Sequence, residues 1–340
     1  MFQTTLPITN APELDALGIL TSTFPVIQSS SLVILHVEKA RQLAQSWANT
    51  RWPEDTWDTD LHFTDGSART LNWMLLVDAL NFCFWSEKQL PRWRVKHGER
   101  WVDGYAALAA ALSRAARNNI PIWNAAYLQS ISEEDLRSIL HPDDEPNIPE
   151  IPLFAQRLAN AREVGAVLEN SFAGEAVNLI HAANNDVVKL VQLVAEQFTS
   201  FHDTAVWRGS NIFFYKRAQI FAGDVITAFP DSPWGILTNA NKLTAFADYK
   251  VPQILHRLGI LSYKPQLEKI LKRYTLIPAG SEEEIAIRAG TIWAVEILRR
   301  TIAETEPSIS AVQIDHRLWN ESQIPVPNDI PYHRTITMFY

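Results

Sequence analysis

Apolar residues recur every three to four positions along most of the chain, and that spacing predicts helices. Over residues 32–47 it sets Leu32, Leu35, Leu43 and Trp47 near one face, with charge on the other. Residues 105–117 are rich in alanine and run into Asn118-Asn119-Ile120-Pro121, a helix stop. Ser132-Glu133-Glu134-Asp135 has the pattern of a capping box and starts a helix that continues through Leu140. Longer helices are predicted over residues 153–172, 185–198 and 283–305. Alternation with a period of two is confined to two short places. Trp93-Arg94-Val95 and Arg100-Trp101-Val102 flank the turn-like Lys96-His97-Gly98-Glu99. Val206-Trp207 and Ile212-Phe213 flank Arg208-Gly209-Ser210-Asn211 in the same way. Each place predicts a small hairpin. Strands do not alternate with helices in a series, so a doubly wound nucleotide-binding sheet is not expected. The class is mainly α: a helical bundle with one or two small β-hairpins.

Residues 16–37 carry no formal charge, but Pro25 and Gln28-Ser29-Ser30-Ser31 interrupt them, so no membrane span is read there. The first five residues hold no Lys or Arg and do not read as a signal peptide. Residues 141–152 are acidic and contain Pro142, Pro146, Pro149 and Pro152, a density that favours extended chain. They are the candidate divide between two lobes.

Composition narrows the chemistry. A chain of 340 residues can bury a large core without disulfides or structural metals. It has only 12 Gly, and none of them falls in GxGxxG or GxxxxGK[ST], which argues against Gly-rich phosphate loops. The single Cys83 excludes an internal disulfide framework and a cysteine-built zinc or iron–sulfur site. It fits a reducing compartment, and the chain is read as cytoplasmic. Lys plus Arg number 30 against 38 acidic residues, a net charge of -8, so polyanions are not bound through bulk charge. The nine histidines form no HxH, HExxH or HxxxH, and no metal site is expected. Cys83 lies among Phe82, Phe84 and Trp85, where a thiol is inert packing rather than a nucleophile.

What remains are polar residues embedded in aromatic and apolar segments. Lys216 follows Phe213-Phe214-Tyr215. Asp248 follows Phe246-Ala247. Asp315 sits in Gln313-Ile314-Asp315-His316-Arg317-Leu318-Trp319. Isolated charges in such company are costly to bury unless paired or functional. Each also has a structural explanation. Lys216 can lay its stem over apolar neighbours, Asp248 can cap a helix that begins near Pro252, and Asp315 can pair with Arg317. From the residues alone the two kinds of explanation stay open.

Taken together and in order, several strings resemble the queuosine salvage family, the queuosine 5′-phosphate N-glycosylases. They are NWMLLVDALNFCFWSE (72–87), FYKRAQI (214–220), FADYKVPQIL (246–255), IDHRLW (314–319) and PYHRTITMFY (331–340). Cys83 departs from the pattern, where a serine is expected. The resemblance implies a fold similar to helix-hairpin-helix DNA glycosylases, with residues 254–258, Gly259 and residues 263–274 as the candidate hairpin. It implies one catalytic unit over residues 1–340, drawing on both sides of residues 141–152. The implied reaction is cleavage of the N-glycosidic bond of queuosine 5′-monophosphate, releasing queuine for reuse in tRNA modification, with no cofactor or metal. The implied substrate is a free nucleotide, with no stable nucleic-acid or membrane partner. The alternatives are a nucleic-acid glycosylase and a non-catalytic queuine carrier.

The same resemblance assigns roles. Asp248 matches the carboxylate that stabilises or attacks the ribose cation, and Lys216 matches the active-site lysine. Beside these two, His62, Phe82, Phe84, Phe246, Tyr249, Asp315 and Trp319 are candidate substrate contacts, with Asp315 accepting from the guanine-like edge of the base; plain core packing of the aromatics and an ordinary histidine at His62 are the alternatives. Arg217, His333 and Arg334 are candidate donors to the 5′-phosphate, with a solvated charged face as the alternative.

Overall fold

A computed structural model describes residues 15–48, 50, 52, 56–86, 90–141, 145 and 147–340. The readings made on residues 1–5, Glu87, Pro142 and Pro146 lie outside them. Among the described residues there are fourteen α-helices and three two-stranded antiparallel pairs, so the protein is mainly helical, as its periodicity predicts. No helix among them is long and apolar enough to cross a membrane.

Packing divides the chain into two units. The first comprises Met1–Asp55, Asp203–Lys216 and Asn239–Ile336, and the second Thr56–His202, Arg217–Thr238 and Thr337–Tyr340. Residues 141–152 fall inside the second unit.

The first unit is organised around the helix Glu282–Ile302. Ser281 caps it by accepting the Glu284 N–H, and three glutamates fill its first turn, where the helix dipole favours negative charge. Every residue from Glu284 to Leu298 is buried. Helices Ile19–Ser29 and Val37–Trp47 pack against it. Pro25 lies within Ile19–Ser29, so the proline expected to break that stretch is absorbed by a helix. Residues 32–47 do not form one helix either. Val33–Leu35 is a strand paired with Leu261–Tyr263, in register Val33↔Tyr263, Ile34↔Ser262 and Leu35↔Leu261. β-branched Val33 and Ile34 suit the pleat. The side-chain contact between His36 Nε2 and Ser262 Oγ, 2.7 Å, follows directly, and the helix starts at Val37. The expected hairpin around Arg208-Gly209 is present as Thr204–Trp207 paired with Ser210–Phe213. Where a helix pair was expected around Gly259, the chain forms Val251–Arg257, then the strand Leu261–Tyr263, then Pro265–Lys272.

The second unit packs Ala68–Leu80, Gly104–Arg117, Ala125–Gln129, Glu133–Leu140, Phe154–Ser171, Val177–Ala182 and Val187–Gln197, with the hairpin Arg94–His97/Arg100–Asp103 on Gly104–Arg117. Gly165 permits a close approach between Phe154–Ser171 and Ala125–Gln129. A Cβ there would run into the backbone of Ala125, Leu128 and Gln129. The helix Ala68–Leu80 is buried on all sides from Thr70 to Leu80. Its C-terminal carbonyls are therefore cut off from water and need donors. Three buried side chains supply them. Arg157 donates to the carbonyls of Leu80, Phe82 and Cys83, Arg217 to those of Asp78 and Ala79, and Asn160 to that of Ala79.

Candidate functional site

In the first unit, the segment after residue 243 reaches Asp248 in a tight turn. Asp248 Oδ1 accepts the backbone N–H groups of Lys250 and Val251, both at 2.8 Å. The helix Val251–Arg257 begins there, with Pro252 in its first turn. The turn therefore fixes the carboxylate, and both backbone bonds fall on one oxygen. Asp248 and Lys216 are each 6% exposed. Burial raises the Asp248 pKa, while the Lys216 charge and the two N–H bonds hold it down. Lys216 is the first residue of the helix Lys216–Ala228.

Asp315 joins them from the helix Ala311–Ser322, which is capped at Ser310 by a full capping box with Gln313. Its Oδ1 accepts the Phe246 N–H at 3.0 Å. Burial, and then the negative charge of Asp248, push its pKa up to about 7, against the pull of His316, the Phe246 N–H and Lys216. The suggested Asp315–Arg317 pair does not form. Arg317 binds Glu321 and lies over the Trp47 and Trp52 rings. The unit thus brings together one buried cation, two buried carboxylates that sense each other, and the Phe246 segment that links them. Phe246 lies 6.0 Å from the His316 ring, and Tyr249 lies 5.0 Å from Tyr332. Trp319, one helical turn after Asp315, is half-buried, and its carbonyl accepts from Ser322 and Gln323.

The phosphate candidates divide. His333 is buried, and burial together with the nearby Arg288 charge lowers its pKa to about 3, so it is a neutral imidazole. Arg334 lies over the Tyr274 and Tyr332 rings at 4.6 and 5.8 Å. Arg217 belongs to the second unit and is committed to carbonyls: besides Asp78 and Ala79 it donates to Ser200.

The second unit also holds His62, Phe82 and Phe84. His62 stacks on Trp57 with ring centroids 4.1 Å apart and meets the Tyr105 hydroxyl through Nε2 at 3.0 Å. Burial lowers its pKa to about 4, so it too is neutral. Phe82 has the Arg157 and Arg217 guanidinium groups 4.2 and 5.1 Å from its ring centre. Phe84 stacks with Trp93. Between these two phenylalanines, Cys83 adopts φ +45°, and burial raises its thiol pKa.

Among the described residues, no group of three or more His, Cys, Asp or Glu side chains is placed to hold a metal ion. Sequence reasoning missed Asp203 and Arg288, which form a fully buried ion pair in the first unit. The signal for Arg288 is a lone cation in the apolar run Ile285-Ala286-Ile287-Arg288-Ala289-Gly290. Asp203 gave none, because its partner is 85 positions away.

The model of the family described as "Queuosine salvage protein" matches residues 61–340. A Sphaerobacter thermophilus protein named queuosine 5′-phosphate N-glycosylase/hydrolase is 44% identical over 326 residues, covering 96% of this chain and 98% of its own. Relatives of the same name from Mus musculus and Dictyostelium discoideum are each 33% identical, over 93% and 90% of this chain and 96% and 89% of theirs. With a family match across most of its length and relatives 33–44% identical over at least 90% of the chain, the chain belongs to the queuosine salvage protein family.

Proposed function

We propose that this chain hydrolyses the N-glycosidic bond of queuosine 5′-phosphate. Water gives its hydroxyl to the anomeric carbon, the C–N electron pair leaves with the base, the remaining proton of water ends on that base nitrogen, and the products are queuine and ribose 5-phosphate. The observation that carries the reading is the buried Lys216–Asp248–Asp315 group in a chain whose relatives bear that enzyme's name.

Breaking this bond builds positive charge on the ribose. A carboxylate held rigidly in a dry site stabilises that charge more than water does, or attacks it directly. Asp248 is assigned this part, because the turn holds its Oδ1 and burial limits its solvation. Lys216 is assigned to keep Asp248 ionised, since its charge opposes the effect of burial. The base of queuosine is a 7-deazapurine and has no N7 to protonate, so catalysis rests on the sugar side and on contacts to the rest of the base. Asp315 is assigned to accept from the guanine-like N–H edge, with Phe246, Tyr249 and Trp319 as flat walls. Arg334 is retained as the phosphate donor of the same unit. A free nucleotide suits the net charge of -8 better than a nucleic acid does, and one buried cysteine suits a cytoplasmic setting.

Incubation with queuosine 5′-monophosphate tests the reading. Free queuine and ribose 5-phosphate should appear in equal amounts. Tight queuine binding with no release from the nucleotide would overturn hydrolysis in favour of a carrier.

The Asp315 assignment gives a pH dependence. A carboxyl with a pKa raised to about 7 is neutral below that pH and loses acceptor capacity there. KM should therefore rise as pH falls from about 8 to about 6, across that pKa. Asp315→Asn should raise KM on the alkaline side and flatten the profile. An unchanged KM–pH curve in the variant would remove Asp315 from base recognition.

A further inference from the structure

Arg288 stands in the second turn of the most buried helix of the first unit and is 2% exposed. A charge there brings no assured stability, since desolvation offsets most of what an ion pair returns. What it does bring is geometry. Its Nη1 and Nη2 grip both carboxylate oxygens of Asp203, at 2.9 and 2.5 Å, and Nη1 also lies 3.4 Å from Glu284. Its Nε donates to the carbonyl of Ala247 at 3.1 Å. Its guanidinium plane covers the Phe214 ring at 3.8 Å.

Two of these contacts end next to a residue of the proposed catalytic pair. Ala247 immediately precedes Asp248. Asp203 Oδ2 accepts the backbone N–H of Lys216 at 3.1 Å, and the Asp203 carbonyl accepts those of Phe214 and Tyr215, both at 3.1 Å. Tyr215 is held at φ +49°, a left-handed conformation that a bulky side chain adopts only when its surroundings fix it. One planar, bidentate cation thus fixes the strand-to-helix turn that carries Lys216 and the backbone that carries Asp248.

We propose that Arg288 is a positioning residue: through Asp203 and the Ala247 carbonyl it sets the spacing of Lys216 and Asp248. This rests on the assignment of that pair to catalysis. A lysine in its place keeps the charge but cannot reproduce the fork, because an ammonium is a point donor. Asparagine at position 203 keeps the acceptor for the Lys216 N–H but loses the charged grip.

The test measures kcat, KM, the pH profile of kcat and the melting temperature for Arg288→Lys, Asp203→Asn and Asp248→Asn, with queuosine 5′-monophosphate as substrate. Arg288→Lys should stay folded and lose about 100-fold in kcat, the cost of misplacing reacting groups by about 1 Å, with KM within about twofold. The acidic limb of its profile should move to higher pH, because a displaced Lys216 no longer opposes the burial of Asp248. Asp203→Asn should show the same pattern more weakly, and it carries the test if Arg288→Lys fails to fold. Wild-type kcat and an unmoved acidic limb in a folded variant overturn the proposal. So does a loss confined to melting temperature and KM. An active Asp248→Asn would instead remove the catalytic pair itself, and this inference with it. An inactive Asp248→Asn beside a fully active Arg288→Lys overturns positioning alone.

Discussion

Asp248→Asn is expected to lower the rate of queuine release by about 100- to 1,000-fold, the scale seen when one preorganised electrostatic group is removed from a transition state. The substitution is well suited to separate chemistry from structure. An asparagine keeps an Oδ1 that can accept the N–H groups of Lys250 and Val251, so the turn into Val251–Arg257 survives. Melting temperature and substrate affinity should change little, because only the negative charge is lost. Asp248→Ala should add a stability loss of about 1 kcal/mol or more from the lost acceptor of the Lys250 and Val251 N–H groups. An Asp248→Asn enzyme retaining more than a tenth of the wild-type rate would show that the carboxylate is not what stabilises the ribose cation.

Arg217→Ala is expected to damage the fold far more than substrate binding. Its guanidinium serves three buried carbonyls, those of Asp78, Ala79 and Ser200. Each orphaned buried acceptor costs on the order of 1 kcal/mol or more, so the loss should reach about 3 kcal/mol, read as a drop in the denaturant midpoint. Arg217→Lys should fall between, since one ammonium cannot span carbonyls that lie in different directions. A rise in KM for the phosphorylated substrate with an unchanged midpoint would restore Arg217 as a phosphate donor.

The comparison of Arg217 with its neighbour shows what the sequence can and cannot convey. Lys216 and Arg217 look alike in FYKRAQI, two cations after two aromatics. Which one faces a carboxylate and which one caps a distant helix end depends on partners far along the chain. Amphipathic helices such as Phe154–Ser171 and Val187–Gln197 were legible because one face meets water and leaves a period. Ala68–Leu80 left none, because it is buried all round. The pairing of Val33–Leu35 with Leu261–Tyr263 joins segments more than 220 positions apart and needs no local turn signal. At the candidate site, Asp248 and the N–H groups of Lys250 and Val251 lie within four residues, so a local turn role could be read from the sequence, although the helix's N-cap position falls to Lys250. The placement of Asp315 against Phe246, and of Arg288 against Asp203, is a matter of tertiary structure.

Cys83 offers a use that its chemistry alone does not suggest. It is the only cysteine in the chain, it is buried, its N–H is bonded to the Tyr340 carbonyl at 2.9 Å, and its thiol pKa is raised. A disulfide reagent at neutral pH should therefore not react with the closed protein, and modification must wait for this segment to open. The rate of colour release from such a reagent becomes a clock for that opening. Because the clock has a single hand, a slowing on addition of queuine would report directly how much the ligand steadies the end of the helix Ala68–Leu80.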